Sequence, residues 1–272
     1  MRTGEGSSVR RGRPARRGAE REAEKAPRPL FVGGCQRSGT TAFADYLNDH
    51  DAILLTRERY KRLPARRITP GMFTFERILA PHEGETNAPR AHHEQLLARK
   101  EPSRLRWIGD KRPAHVRSLP TLLTNNPSAR FIVLHRPLED VAESFEAKAR
   151  DPAADWPASN GLEAAVVRWN AALRSTRAFV QSRPDAHLVV IGYDEFFGDP
   201  QASVPLLTAF LELEFDEDVL RRWGEASARF VAQRREKVPP TASQARLLRE
   251  ARDEPSERWI RGYIRDQRRA LA

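Results

Sequence analysis

Short apolar runs, each bounded by turn-forming or charged residues, punctuate the chain. They are Leu30-Phe31-Val32, Ala52-Ile53-Leu54-Leu55, Trp107-Ile108, Phe131-Ile132-Val133-Leu134 and Leu188-Val189-Val190-Ile191. Runs of this length, rich in β-branched and aromatic side chains, predict buried strands. Between them the apolar period changes to that of a helix. Ala42, Phe43 and Leu47 share a face, as do Leu138, Val141, Ala142 and Phe145. The longest helical pattern is Leu162, Val166, Trp169, Leu173 and Phe179, which Pro184 stops. Shorter helices are predicted over Val116 to Leu123, Val204 to Leu211 and from Phe215 through Trp223. Strands alternating with helices predict an α/β domain on an open, mostly parallel sheet. It spans residues 29–272, with terminal helices over 241–272 packing on the domain.

Two stretches break the alternation. Residues 63–106 are interrupted by Pro64, Pro70, Pro81 and Pro89, and residues 151–161 form a loop containing Pro152, Trp156 and Pro157. Both are expected to face substrate rather than to serve as scaffold. The carboxyl ends of parallel strands line the ligand crevice, so the chemistry is sought in the residues that follow each run.

The first run leads into Gly33-Gly34-Cys35-Gln36-Arg37-Ser38-Gly39-Thr40-Thr41 and then a helix. Strand, Gly-rich turn and helix start form a phosphate cradle, because the first helical N–H groups point into the turn with the positive end of the helix dipole. The nucleoside-triphosphate version reads G-x-x-x-x-G-K-[ST]. Here Gly34, Gly39 and Thr41 fit, but Thr40 stands in the lysine position and the cation has moved back to Arg37. Gln36 to Thr41 thus suit an anionic nucleotide better than ATP with magnesium.

Other strand ends add candidates. Glu58, amid Arg57, Arg59, Lys61 and Arg62, reads as a general base or as a surface ion-pair partner. Lys111 closes Trp107-Ile108-Gly109-Asp110-Lys111 as an active-site cation or a solvated turn lysine. Arg136 follows the clearest strand, and Ser144 lies eight residues further on, two turns into the next helix. That spacing lets an Arg fork and a hydroxyl converge on one phosphate. Tyr193 stands at the end of the last strand, placed to stack or hydrogen-bond at the crevice. Arg234, Arg235 and Lys237 form a late basic segment, and His92-His93 reads as surface or substrate-lining. No metal-ligand spacing occurs.

Composition alters this picture at the chain's start. Of the formal +10 charge on 272 residues, half comes from residues 1–28, with eight Arg and one Lys against four Glu. This tail has almost no large apolar residues and is expected to be disordered. It reads as a solvated arm, though an Arg-rich nucleic-acid binder is the non-enzymatic alternative. Cys35 is the only cysteine, so no intramolecular disulfide forms, and a reducing cytoplasmic location is expected. No run approaches the ~18 apolar residues of a membrane span.

The loop stretch, the Arg130 to Phe145 stretch and Val189 to Pro200 together resemble the sulfotransferases that use 3′-phosphoadenosine 5′-phosphosulfate (PAPS), the soluble bacterial branch most in style. The resemblance covers roughly residues 29–240 and matches 63–106 poorly. It implies a P-loop-type three-layer fold with helices on both faces of the sheet, and PAPS as co-substrate without a metal. Residues 35–41 would hold the 5′-phosphosulfate, with Arg37 in the place of a catalytic lysine. Arg136 and Ser144 would hold the 3′-phosphate, Tyr193 would lie near the adenine, and Arg234 and Arg235 loosely parallel a late 3′-phosphate segment. Glu58 would be the base, with His115 and His93 as rivals, and Lys111 matches a strand-end lysine. The acceptor would be a small-molecule, sugar or lipid hydroxyl, with no nucleic acid as partner. A P-loop kinase or NTPase is the competing enzyme reading.

Overall fold

In a computed structural model, residues 26–86, 90–232 and 240–270 are described. The five apolar runs form β1 (Arg28–Gly34), β2 (Ile53–Arg57), β3 (Trp107–Lys111), β4 (Arg130–His135) and β5 (Leu188–Gly192), all buried over nearly their whole length. They pair in parallel in the order β2-β3-β1-β4-β5. Strands buried on both faces explain why each reads as a continuous apolar run rather than an alternation. The fold is α/β, a parallel sheet between two layers of helices, as expected.

Side chains alternate along each strand and feed two cores. One face takes Leu30, Val32, Ile53, Leu55, Trp107, Ile132 and Ile191. Helices α1 (Thr40–Leu47), α7 (Tyr193–Gly198), α8 (Val204–Leu211) and α9 (Glu217–Ala232) cover it. Phe43, Tyr46, Phe196, Phe197 and Trp223 interlock there edge to face. The opposite face takes Phe31, Leu54, Ile108, Phe131 and Val190. It is covered mainly by α4 (Leu119–Asn125), α5 (Leu138–Arg150), α6 (Leu162–Ser182), α10 (Ala242–Ala251) and α11 (Glu254–Arg269). The last helix also closes the β5 edge, where the Gln267 amide donates to Val190 O (3.0 Å) and accepts from Val190 N (2.9 Å). It stands in for a sixth strand and hides an edge that would otherwise pair with another chain.

Residues 63–106 depart from the expectation. Ile68, Met72, Phe73, Ile78, Leu97 and Leu105 all enter the second core. Short 3-10 helices (Ala65–Arg67, Pro70–Met72), α2 (Phe75–Leu79) and α3 (Arg90–Leu97) carry them. The segment thus contributes to the scaffold, with Phe73 packed edge to face on both Phe31 and Tyr60. Prolines every few residues hide this in the sequence, because no element is long enough to show a period. The basic tail lies outside the described residues up to residue 25, and Arg28 is already in β1. Among the described residues no helix is long and apolar enough to cross a membrane.

One glycine is fixed by the sheet. A Cβ on Gly109 would stand 1.6 Å from the Leu30 carbonyl oxygen. Only glycine lets β3 approach β1 at this point, immediately before Asp110 and Lys111.

Candidate functional site

The turn from β1 to α1 is tight. Ser38 N donates to Cys35 O (3.2 Å), and Arg37 and Gly39 both adopt left-handed backbone, with φ of 68° and 78°. For Arg37 that conformation costs roughly 1–2 kcal/mol, which the surrounding contacts must offset. Gly39 is required twice over. Its φ suits glycine, and a Cβ would lie 2.6 Å from the Tyr193 ring and 2.8 Å from that of Phe197. Gly39 is also the N-cap of α1 and offers no side-chain cap. The backbone N–H groups of Thr40 and Thr41 find no acceptor among the described residues. Ser38 Oγ is buried without a hydrogen-bond partner. A helix start with free donors facing a turn attracts an anion.

Side chains from the end of β4, from α5 and from α7 converge on this turn. Arg37 Nε donates to Ser144 Oγ at 2.9 Å, and Arg136 Nη1 donates to the Arg37 carbonyl at 2.8 Å. The Arg136 guanidinium lies 4.2 Å over the Tyr193 ring. Tyr193 is not at a strand's exposed tip. It opens α7, is buried, and supports Gly39 from beneath, with Arg136 already stacked on its face. Burial first, and then the neighbouring Arg136 charge, lower the pKa of Arg37. Two guanidiniums beside free helix N–H groups leave a concentration of positive charge that only an anion relieves. The nearest compensation is Asp140, 3.9 Å from Arg136 Nε and without a hydrogen bond to it.

Arg168 was not foreseen. It sits on α6, one residue before the core Trp169, and donates to Gln36 Oε1 of the turn and to Asn160 Oδ1 (2.7 Å) of the 151–161 loop. Phe145 and Trp156 flank its guanidinium at 5.6 and 5.9 Å. Its place beside the buried stripe of α6 was the only hint in the sequence.

A second group stands at the ends of β2 and β3. Glu58 takes a left-handed φ of 56°, its N–H donates to Lys111 O (2.9 Å), and Lys111 Nζ donates to Glu58 Oε1 (3.3 Å). Lys61 reaches the other Glu58 oxygen at 3.9 Å. Lys111 is thus a buried partner of Glu58 rather than a solvated turn lysine. The other two base candidates are closed off. His115 is 2% exposed against Asp110 and Phe31, and His93 is 3% exposed, with burial and Arg59 pushing its pKa down to about 4. His92, on the outer side of α3, lines an open cleft of about 650 Å³ with Asp45, Arg57 and Arg99. Arg234, Arg235 and Lys237 lie outside the described residues. Among the described residues no group of three or more His, Cys, Asp or Glu side chains gathers in a metal-binding arrangement.

The chain matches the model of the sulfotransferase family over residues 29–217. No curated protein matches it. Among solved structures it is similar to mouse sulfotransferase SULT7A1 complexed with PAP, at 14% identity and a TM-score of 0.53, over 88% of this chain and 89% of that one. It is also similar to the sulfotransferase domain from the curacin biosynthetic pathway, at 15% identity and 0.51, over 83% and 98%. A third is the sulfotransferase domain of the Synechococcus PCC 7002 olefin synthase, at 19% and 0.50, over 83% and 95%. At these identities the likeness is one of fold.

Proposed function

The chain belongs to the sulfotransferase family, and from that premise we propose that it moves the sulfuryl group of PAPS to a hydroxyl of a small-molecule, sugar or lipid acceptor by direct in-line transfer. The observation that carries this reading is the junction of Arg37, Ser144, Arg136 and Tyr193 around the turn before α1. Sites predicted from stretches 107 residues apart meet there through direct hydrogen bonds.

The turn suits the 5′-phosphosulfate. Thr40 and Thr41 N–H groups and the buried Ser38 hydroxyl are free to donate, and Arg37 stands beside them. Arg136 and Ser144 offer a forked donor and a hydroxyl to a second phosphate, the 3′ group that distinguishes this nucleotide from AMP. With Ser144 holding Nε, the two terminal nitrogens of Arg37 are left to stabilise the sulfuryl oxygens and the bridging oxygen as charge builds on them.

In the transfer, the acceptor oxygen bonds to sulfur as the sulfur–oxygen bond to the 5′-phosphate breaks. The hydroxyl proton passes to the Glu58 carboxylate, and the bridging pair stays on 3′-phosphoadenosine 5′-phosphate (PAP). Lys111 keeps Glu58 in place and offers a second cation to the developing charge. Removal of the proton by a positioned base is worth ~10²–10⁴-fold.

Calorimetry with PAP against ATP–magnesium tests the reading. PAP is expected to bind and ATP–magnesium to bind far more weakly. The reverse order would sink it and favour a kinase-like site. In the same preparation Glu58→Gln is expected to cut turnover by that factor while PAP affinity holds.

A further inference from the structure

Below the Glu58–Lys111 pair lies a buried polar network that the mechanism above does not use. Asp110, on β3, is fully buried. Its Oδ1 accepts from Thr56 Oγ1 (2.8 Å) and from the backbone N–H of Arg59 (2.9 Å). Its Oδ2 faces His115 Nε2 at 3.4 Å, out of hydrogen-bond alignment. Thr56 and Arg59 bracket Glu58 in sequence. One carboxylate therefore grips the chain on both sides of a residue held in left-handed backbone.

The next residue completes the grip. The Lys111 carbonyl accepts from Glu58 N–H (2.9 Å), and its ammonium reaches Glu58 Oε1. Side chains alternate across a strand, so Asp110 works from the sheet face that carries Ile108, and the Lys111 side chain from the opposite face. A left-handed L-residue persists only where its surroundings over-determine it. Here four hydrogen bonds from two consecutive β3 residues do so. A buried charge used only as filler would be a costly choice. Thr56, Arg59 N–H and His115 all face Asp110, and the Arg59 guanidinium turns away to Glu85 and the Ile78 carbonyl.

We propose that Asp110 is a positioning residue, whose clamp on Thr56 and Arg59 N–H sets the Glu58 carboxylate where it can take the acceptor proton. The proposal rests on the sulfotransferase reading and on Glu58 as base.

The test is a double-mutant cycle on PAP release from PAPS with water, always present, as acceptor. PAP affinity is measured alongside by calorimetry. Asp110→Ala is expected to slow release by ~10²-fold, the cost of misplacing a reacting group by about 1 Å, with PAP affinity unchanged. Asp110→Asn, which keeps an acceptor oxygen for Thr56 and Arg59, is expected to restore most of the rate. On a Glu58→Gln background, Asp110→Ala is expected to cost almost nothing more. Thr56→Val, of equal shape, repeats the cycle if Asp110→Ala does not fold, and a loss that vanishes on the Glu58→Gln background is again expected. A loss that multiplies with that of Glu58→Gln, or one that falls equally on PAP affinity, would make Asp110 scaffold only. Full turnover in Glu58→Gln would overturn the proposal while leaving the sulfotransferase reading intact. Absence of PAP binding to the wild-type protein would instead remove that reading itself.

Discussion

The two ends of the parallel sheet both gather arginines, and they treat them in opposite ways. At the amino end Arg28 and Arg130 hydrogen-bond the Glu212 carboxylate, and Arg106 donates to its carbonyl (2.8 Å). Arg28 and Arg130 also cover Trp107, at 4.1 and 5.0 Å. Glu212 caps the C-terminus of α8, so helix carbonyls add negative potential to the carboxylate. At the carboxyl end Arg37 and Arg136 meet at the N-terminus of α1, where the helix adds positive potential, and Arg37 has no carboxylate partner among the described residues. Compensated arginines staple β1, β3 and β4 together. Arg37, without a carboxylate, and Arg136, with only Asp140 at 3.9 Å among the described residues, are a standing demand for an anion. Left-handed backbone does not separate the two ends, since Glu212 (φ 55°) shares it with Arg37 and Glu58. Charge balance does.

The largest effect that would sharpen this contrast is Arg37→Ala. Turnover of PAPS is expected to fall by ~10²–10³-fold, the cost of one lost transition-state donor, with Tm little changed because the side chain makes a single exposed hydrogen bond, to Ser144, in the free protein. A drop in Tm of several degrees would make Arg37 a staple like those at the other end.

Acid should take the ends apart in sequence. Burial holds His135, at the end of β4, and His93 down near pKa 4. Their neutral forms stabilise the fold fully above the unfolded pKa of ~6.5, and that contribution is lost as pH falls from there through about 4. Hydrogen bonds from Arg28 and Arg130 hold Glu212 at about 2. Its contribution is present above ~4.5 and is lost as pH falls through about 2. Thermal melts between pH 7 and 3 should therefore show His135→Phe flattening the slope above pH 4 only.

The smallest effect expected is that of Glu212→Gln. Its carboxylate is about half exposed, so solvent screening keeps the loss within ~1 kcal/mol, or about 2–4 °C in Tm. The difference from wild type should shrink in salt and vanish toward pH 2. A difference that grows with acid would contradict the pairing.

How much of this was legible in the sequence depended on whether the signal was local. All five strands were, because buried parallel strands are unbroken apolar runs. So was the turn chemistry from Gly34 to Thr41, and so were Arg136 and Ser144, whose spacing is fixed by one strand end and one helix. Helix α7 was hidden because its six residues, Tyr193 to Gly198, are too few to show a helical period. The core side of residues 63–106 was hidden because its contacts come singly from short turns. Arg168, Asp110 and Thr56 were passed over for a different reason. Their partners lie 132, 51 and 54 residues away, and nothing beside them in the chain marks the meeting.

Titrating PAP into Arg136→Ala and Arg130→Ala side by side tests the contrast most directly. Arg136→Ala is expected to weaken PAP by about 1.5–3 kcal/mol, roughly tenfold to hundredfold, with little change in AMP affinity. Arg130→Ala is expected to lower stability by about 1–3 kcal/mol and leave PAP affinity alone. Equal loss of PAP affinity in both variants, or AMP weakened as much as PAP by Arg136→Ala, would contradict the assignment of the 3′-phosphate to the carboxyl end.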